Sequence, residues 1–156
     1  MAEKDVSKET ISDAVERFGK RPEMLVQILQ AIVTRHGWIP EKTIRQLADE
    51  LNLSRADVYG VVNFYHDFRT EPPGEHIVKI CQAEACQAMG SRELTDHARS
   101  ALGAELHETN NEVTLEPVYC LGNCACAPAV MINGKTHGRV DTARFDELVD
   151  TMKENR

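Results

Sequence analysis

Five cysteines, all between residues 81 and 126, are the side chains of this 156-residue chain best suited to chemistry. Cys81 and Cys86 form one pair, Cys120 and Cys124 form a second, and Cys126 follows two positions later. Alanine and glycine surround both pairs, so backbone N–H groups can approach a bulky sulfur-containing ligand. A [2Fe–2S] cluster takes two protein thiolates on each iron. The spacing therefore predicts the first pair on one iron and the second pair on the other.

Other uses of paired cysteines fit less well. Structural zinc also takes four cysteines, on tight knuckles with short spacings in both halves, and it remains the second interpretation from spacing alone. A disulfide framework is disfavoured by the odd number of cysteines and by the absence of a secretory signal. A thioredoxin-like redox pair requires C-x-x-C, which the sequence does not contain.

The two cysteine motifs resemble those of the thioredoxin-like [2Fe–2S] ferredoxin family, and the resemblance covers about residues 20–150. That family includes the 24 kDa-type subunit of respiratory complex I and the equivalent subunits of NAD-linked hydrogenases and formate dehydrogenases. Within it, residues 81–90 are most similar to the gamma subunit of NAD-dependent, molybdenum-containing formate dehydrogenase. The residues that carry the resemblance are Cys81-x4-Cys86, Cys120-Leu121-Gly122-Asn123-Cys124, Ala127–Gly134, His36–Pro40 and Val58–Tyr65.

The resemblance implies a thioredoxin-like fold and one [2Fe–2S] cluster held by Cys81, Cys86, Cys120 and Cys124. It implies a non-catalytic electron-transfer subunit that exchanges single electrons with a partner subunit binding FMN and NAD. In a formate dehydrogenase, the complex would also contain the molybdenum subunit that oxidises formate. The equivalent subunit of an NAD-linked hydrogenase or of complex I is the alternative function, and a zinc-stabilised interaction module is a more remote one. Cys126 departs from the family pattern: it could replace Cys124 as a ligand, donate weakly to a cluster sulfur, or be inert. One of the last two roles is expected, because Cys120-x3-Cys124 already has the family spacing.

Composition and charge limit the functions and the cellular locations expected for the protein. The net charge of −7 disfavours nucleic-acid binding, which requires a basic surface. No stretch has the length and apolar character of a membrane span. The charged start of the chain, residues 1–5, does not have the pattern of a signal peptide, so we expect a cytoplasmic protein.

Residues 1–70 predict a small helical bundle. Apolar residues recur at helical spacing in four segments, and Ser54 with Asp57 predicts the cap of the fourth helix. That helix is expected to turn Val58, Val61, Val62 and Tyr65 inward. Residues 40–65 also have the outline of a helix-turn-helix, but Arg55 is the only basic residue of its second helix, which disfavours DNA binding.

Residues 71–75 contain two prolines and a glycine and predict a linker. Residues 76–156 predict strand, helix, two strands and a final helix, with a further, fourth strand at 138–140 and an Asn133-Gly134 turn. The expected fold class is therefore α/β, an N-terminal helical bundle (1–70) followed by a thioredoxin-like domain (76–156). No G-x-G-x-x-G or P-loop motif occurs, so NAD and FMN are expected on a partner subunit.

Overall fold

The computed structural model describes residues 8–110 and 112–154, and the chain divides into two compact units, Met1–Pro72 and Pro73–Arg156. The mixed α/β class, with its helices concentrated at the N-terminus, is confirmed. The linker at 71–75, as a boundary between independently folding domains of residues 1–70 and 76–156, stays a prediction.

The described part of the first unit, residues 8–72, contains four α-helices. They are α1 (Lys8–Phe18), α2 (Leu25–His36), α3 (Glu41–Leu51) and α4 (Arg55–Phe64), with a 3-10 turn at Pro22–Met24. The predicted cap is present, because the Ser54 hydroxyl accepts a hydrogen bond from the Asp57 N–H at 3.1 Å and the Asp57 carboxylate accepts one from the Ser54 N–H at 3.2 Å. Such a capping box satisfies two N–H groups at the start of α4.

One apolar core holds these helices together. Its fully buried side chains include Ile11, Val15, Ile28, Leu29, Ile32, Ile39, Leu47, Val58 and Val62. The expectation that Tyr65 turns inward is wrong, because 42% of its surface is exposed. α4 ends at Phe64 and Tyr65 takes an extended backbone conformation, so its side chain leaves the helical register of Val58 and Val62.

The second unit is a five-stranded sheet with helices. Its elements are β1 (His76–Cys81), α5 (Glu84–Ala88), α6 (Ser91–Leu102), β2 (Glu108–Thr109), β3 (Val113–Val118), β4 (Ala129–Ile132), β5 (Lys135–Gly138) and α7 (Thr142–Glu154). The strand order is β2-β3-β1-β4-β5, and only the β1–β3 pair is parallel among the described strands. The fourth strand predicted at 138–140 lies instead at 135–138, where Lys135 pairs with Ile132.

Central apolar strands and two helices form the core of this unit. Val78, Ile80, Leu115 and Val130 from the sheet are fully buried with Ala98 of α6 and Phe145 of α7. Because β1 and β3 are parallel and α6 lies in the connection between them, their carboxyl ends meet at one edge of the sheet. Among the described residues, no helix is both long and apolar enough to cross a lipid bilayer.

Candidate metal centre

The sheet brings the two cysteine loops together. Cys81, the last residue of β1, is in register with Val118, the last residue of β3, and Cys120 follows two residues later. The Gln82 N–H donates to the Val118 carbonyl at 2.7 Å, so the chain segments that enter both loops are hydrogen-bonded to each other. The strand ends therefore place both cysteine motifs at the same edge of the sheet.

Cys81 and Cys86, which we call the buried pair, lie beneath the surface. Each is 1% exposed, and they pack with buried Ala129 and with the apolar residues Ala83 and Leu121. Burial raises the pKa of the Cys86 thiol, and a hydrogen bond with the Cys81 thiol raises it further. A hydrogen bond from the Ala129 backbone acts in the opposite direction, since an N–H directed at sulfur favours the thiolate.

Cys120 and Cys124, which we call the exposed pair, lie at the surface. Their sulfur atoms are 3.9 Å apart, close to the separation of about 3.8 Å expected for two thiolates on one tetrahedral metal with bonds of about 2.3 Å. The Gly122 N–H donates to the Cys120 sulfur at 3.3 Å. Hydrogen bonding and repulsion between the two sulfurs raise the pKa of Cys124, the hydrogen bond with Cys120 being the larger cause. The exposed pair thus already has the spacing that one metal ion requires.

The backbone at Cys120 is strained. Its φ is +144°, a conformation that residues with a side chain rarely adopt and that costs about 1–3 kcal/mol. Such strain persists where the surrounding structure fixes the chain, and it is common at ligand-binding positions. At Cys120, the strained residue is one of the predicted ligands.

The two pairs are near each other. Charge on Cys124 raises the pKa of Cys86, and charge on Cys81 raises the pKa of Cys124. In residues 8–110 and 112–154, no group of three or more Cys, His, Asp and Glu side chains is arranged to hold a single metal ion. The four predicted ligands are therefore arranged as two interacting pairs.

This donor set fits an iron–sulfur cluster. The Cys86 and Cys124 thiols, whose pKa values are raised in part by neighbouring cysteines, resist deprotonation, and bound cations remove that penalty. Thiolates are also the ligands that [2Fe–2S] irons take in groups of four. Cys81, Cys86, Cys120 and Cys124 are the residues that would hold it.

Cys126 occupies a different place in the second loop. It ends the 3-10 turn Cys124–Cys126 and is half-buried. Its carbonyl accepts a hydrogen bond from the Arg139 N–H at 2.6 Å. A Cβ built on Gly138 would lie 2.6 Å from the Cys126 Cβ and 2.8 Å from its carbonyl oxygen, so the end of β5 packs tightly against this turn. The cysteine spacing does not predict this contact between Gly138 and Cys126. The one sequence feature consistent with it is the glycine at position 138.

The family follows from comparison with known proteins. The sequence pattern of the thioredoxin-like [2Fe-2S] ferredoxin family matches residues 11–153. One subunit of the NADH-quinone oxidoreductase of Rhizobium meliloti (strain 1021) is 32% identical over 148 residues, which are 94% of this chain and 88% of that protein. A subunit of the NADH-quinone oxidoreductase of Pseudomonas aeruginosa is 35% identical over 117 residues, 74% of this chain and 70% of that protein.

A solved structure shows the same fold. A chain of the NAD+-reducing [NiFe]-hydrogenase in its H2-reduced state superposes on 88% of this chain with a TM-score of 0.73 and 21% identity. This chain spans only 23% of the length of that hydrogenase chain. The match over residues 11–153 decides the family: the chain belongs to the thioredoxin-like [2Fe-2S] ferredoxins.

Proposed function

We propose that this chain is the electron-transfer subunit of an NAD-linked oxidoreductase, with one [2Fe–2S] cluster held by the buried pair and the exposed pair. The observation that carries the proposal is the meeting of two cysteine pairs at one sheet edge in a chain of this family. The cluster supplies one-electron redox chemistry when bound. The chain itself positions four thiolates, shields two of them and leaves the other two at the surface.

Three features of the site support that function. The N–H groups of Gly122 and Ala129, directed at sulfur, stabilise negative charge on Cys120 and Cys86. Burial of Cys81 and Cys86 excludes water from one side of the centre. The exposed pair provides the side at which a partner's redox group can approach.

The proposed partner is a subunit that binds FMN and NAD, which would convert the two electrons of a hydride into single electrons. Relatives are named as subunits of NADH-quinone oxidoreductase, and the structural match is to an NAD+-reducing hydrogenase. This chain contains no G-x-G-x-x-G or P-loop motif for such a nucleotide. We expect the complex to act in the cytoplasm.

For the complete complex, we propose an NAD-dependent formate dehydrogenase with a molybdenum subunit. The support is the likeness of residues 81–90 to the gamma subunits of such enzymes. The coarser assignment to an NAD-linked complex does not depend on it. Purification of the complex from its native source decides: molybdenum and formate-dependent NAD reduction support formate dehydrogenase, whereas nickel or quinone reduction supports the hydrogenase or complex I alternative.

The cofactor is tested on the purified chain. We expect about two irons and two sulfides per chain and a brown protein. We also expect no NADH oxidation until a flavin subunit is added. Stoichiometric zinc without sulfide would favour the zinc-stabilised interaction module and contradict the proposal, as would NADH oxidation by the flavin-free chain.

A further inference from the structure

Three hydrogen bonds hold Gln82, the residue after Cys81. Its N–H donates to the Val118 carbonyl at 2.7 Å, and its side-chain Nε2 donates to the Thr95 hydroxyl at 2.7 Å. Its carbonyl accepts from the Gln87 Nε2, also at 2.7 Å. The last of these bonds connects the two ends of the loop that carries the buried pair, because Gln82 directly follows Cys81 and Gln87 directly follows Cys86.

Gln87 is itself held in one orientation. Its Oε1 accepts from both Nε and Nη2 of Arg92, at 3.1 and 2.7 Å, and its backbone N–H donates to the Ala83 carbonyl at 2.9 Å. Arginine can only donate and a carbonyl can only accept. The opposite amide orientation would set donor against donor and acceptor against acceptor, so the arginine on α6 determines which end of Gln87 faces the loop.

The orientation of one peptide group follows. The carbonyl of Gln82 and the N–H of Ala83 belong to the same trans peptide, and they point in opposite directions. Gln87 binds the carbonyl, so the N–H is turned away from Gln87. Ala83 packs against the buried pair, and none of the hydrogen bonds found among residues 8–110 and 112–154 uses its N–H.

We propose that Gln87 is a positioning residue for the buried pair. Oriented by Arg92, its amide fixes the Gln82–Ala83 peptide and directs the Ala83 N–H towards the sulfurs. An N–H directed at sulfur stabilises negative charge there and so raises the reduction potential of the centre. The effect on potential rests on the proposed function, whereas the effect on the loop does not.

The loop is tested in the metal-free protein with Gln87→Met and Gln87→Glu. Methionine preserves the volume and removes the amide; glutamate preserves the Arg92 partner and loses the donor to Gln82. We expect alkylation of the buried pair by iodoacetamide to be about fivefold faster in both variants, as for the loss of one hydrogen bond. Alkylation of the exposed pair, measured in the same digest by mass spectrometry, stays constant.

The cluster-bound protein gives the second measurement. Gln87→Met is expected to shift the one-electron equilibrium about fivefold towards the oxidised form, a decrease of about 40 mV at about 59 mV per tenfold change. Arg92→Met alone should lower the reduction potential. In the Gln87→Met background it should cause no further decrease, because both substitutions remove the contact between Arg92 and Gln87. Arg99→Met is the matched control: it removes an equal charge from α6, where Arg99 binds Asp96 and Glu105, and leaves the potential unchanged.

The outcomes separate this inference from the proposed function. A chain that binds zinc without sulfide removes the proposed function, and the alkylation experiment still decides the loop. Unchanged alkylation of the buried pair in Gln87→Met, or wild-type behaviour of Gln87→Glu, contradicts the positioning role. If the shifts in reduction potential of Arg92→Met and Gln87→Met are additive, the arginine acts only through its charge and not through Gln87. That outcome also contradicts the positioning role.

Discussion

The two cysteine loops at the same sheet edge are built in different ways. Side chains hold the loop of the buried pair, through hydrogen bonds of Gln82 with Thr95 and Gln87. Backbone groups hold the loop of the exposed pair, through the hydrogen bond from the Arg139 N–H to the Cys126 carbonyl and the close approach of Gly138. The difference gives the centre one shielded side and one open side. An electron carrier needs both, because the shielded side protects the cofactor and the open side meets the partner.

Removal of one ligand from either loop gives the largest expected effect. Cys86→Ala and Cys124→Ala would each leave one iron with an open coordination position, so iron and sulfide should fall from about two per chain to near zero. Chemical analysis and electron paramagnetic resonance of the reduced protein measure this. Retention of a native signal in either variant would show that the cysteine concerned is not a ligand.

The contrast in burial is measured in the metal-free protein. Iodoacetamide should modify Cys120 at least about tenfold faster than Cys86, because reaction needs an accessible thiolate and both burial and a raised pKa oppose it at Cys86. A thiol with a raised pKa is protonated at neutral pH, so the rate at Cys86 should still increase as the pH passes the ordinary thiol value of about 8.5. Peptide mass spectrometry at several pH values gives both rates. Equal rates would remove the distinction between the pairs.

Much of the fold could be predicted from local pattern. Apolar spacing indicated α1 to α4, α6 and α7, and the Ser54–Asp57 box marked the start of α4. α5 has five residues and β2 has two, so both are too short to show a recognisable hydrophobic periodicity. The sequence predicts β5 three residues too late, because Lys135–His137 do not alternate between apolar and polar residues.

The sequence predicts four ligands for the site, an assignment that stays a prediction, but it does not predict the difference between the two pairs. Cysteine spacing and the family resemblance indicated four thiolates, and the parallel β1–β3 pair brings their loops together. Small residues surround both pairs alike, so composition did not distinguish the buried loop from the exposed one. The contacts that do so, Gln87 with Gln82 and Gly138 with Cys126, depend on side-chain orientation and on strand pairing.

A substitution at Gly138 tests the packing of the exposed loop. In Gly138→Ala the new Cβ would lie 2.8 Å from a backbone oxygen, so the turn Cys124–Cys126 or the end of β5 must shift, at a cost of about 1–3 kcal/mol in the free energy of unfolding. Denaturant unfolding of the metal-free protein measures the cost. Iron should also be lost to a chelator faster than from the wild type.

Gly60→Ala is the matched control for that substitution. Gly60 lies inside α4, and beyond its chain neighbours and the backbone of its own helix no described atom is within 4 Å of an added Cβ. Alanine there should stabilise the protein by about 1 kcal/mol through helix propensity. If Gly138→Ala also stabilised the protein, the tight packing of β5 against the exposed loop would be wrong.

The smallest effect is expected at Cys126, the cysteine that exceeds the four required. Its backbone hydrogen bonds, to the Asn123 carbonyl at 3.0 Å and from the Arg139 N–H, do not involve the thiol and survive in Cys126→Ser. The side chain is half-buried, so the change should cost less than about 1 kcal/mol. Iron and sulfide contents should remain at the wild-type level, with at most a modest shift in potential.

Cys124→Ser, two residues away in the same 3-10 turn, is the matched comparison and should lose or strongly perturb the cluster. Electron paramagnetic resonance of the two reduced variants decides between them. Loss of the signal in Cys126→Ser with a native signal in Cys124→Ser would move the ligand of the exposed pair from Cys124 to Cys126, and the 3.9 Å spacing of Cys120 and Cys124 would then not mark an iron site.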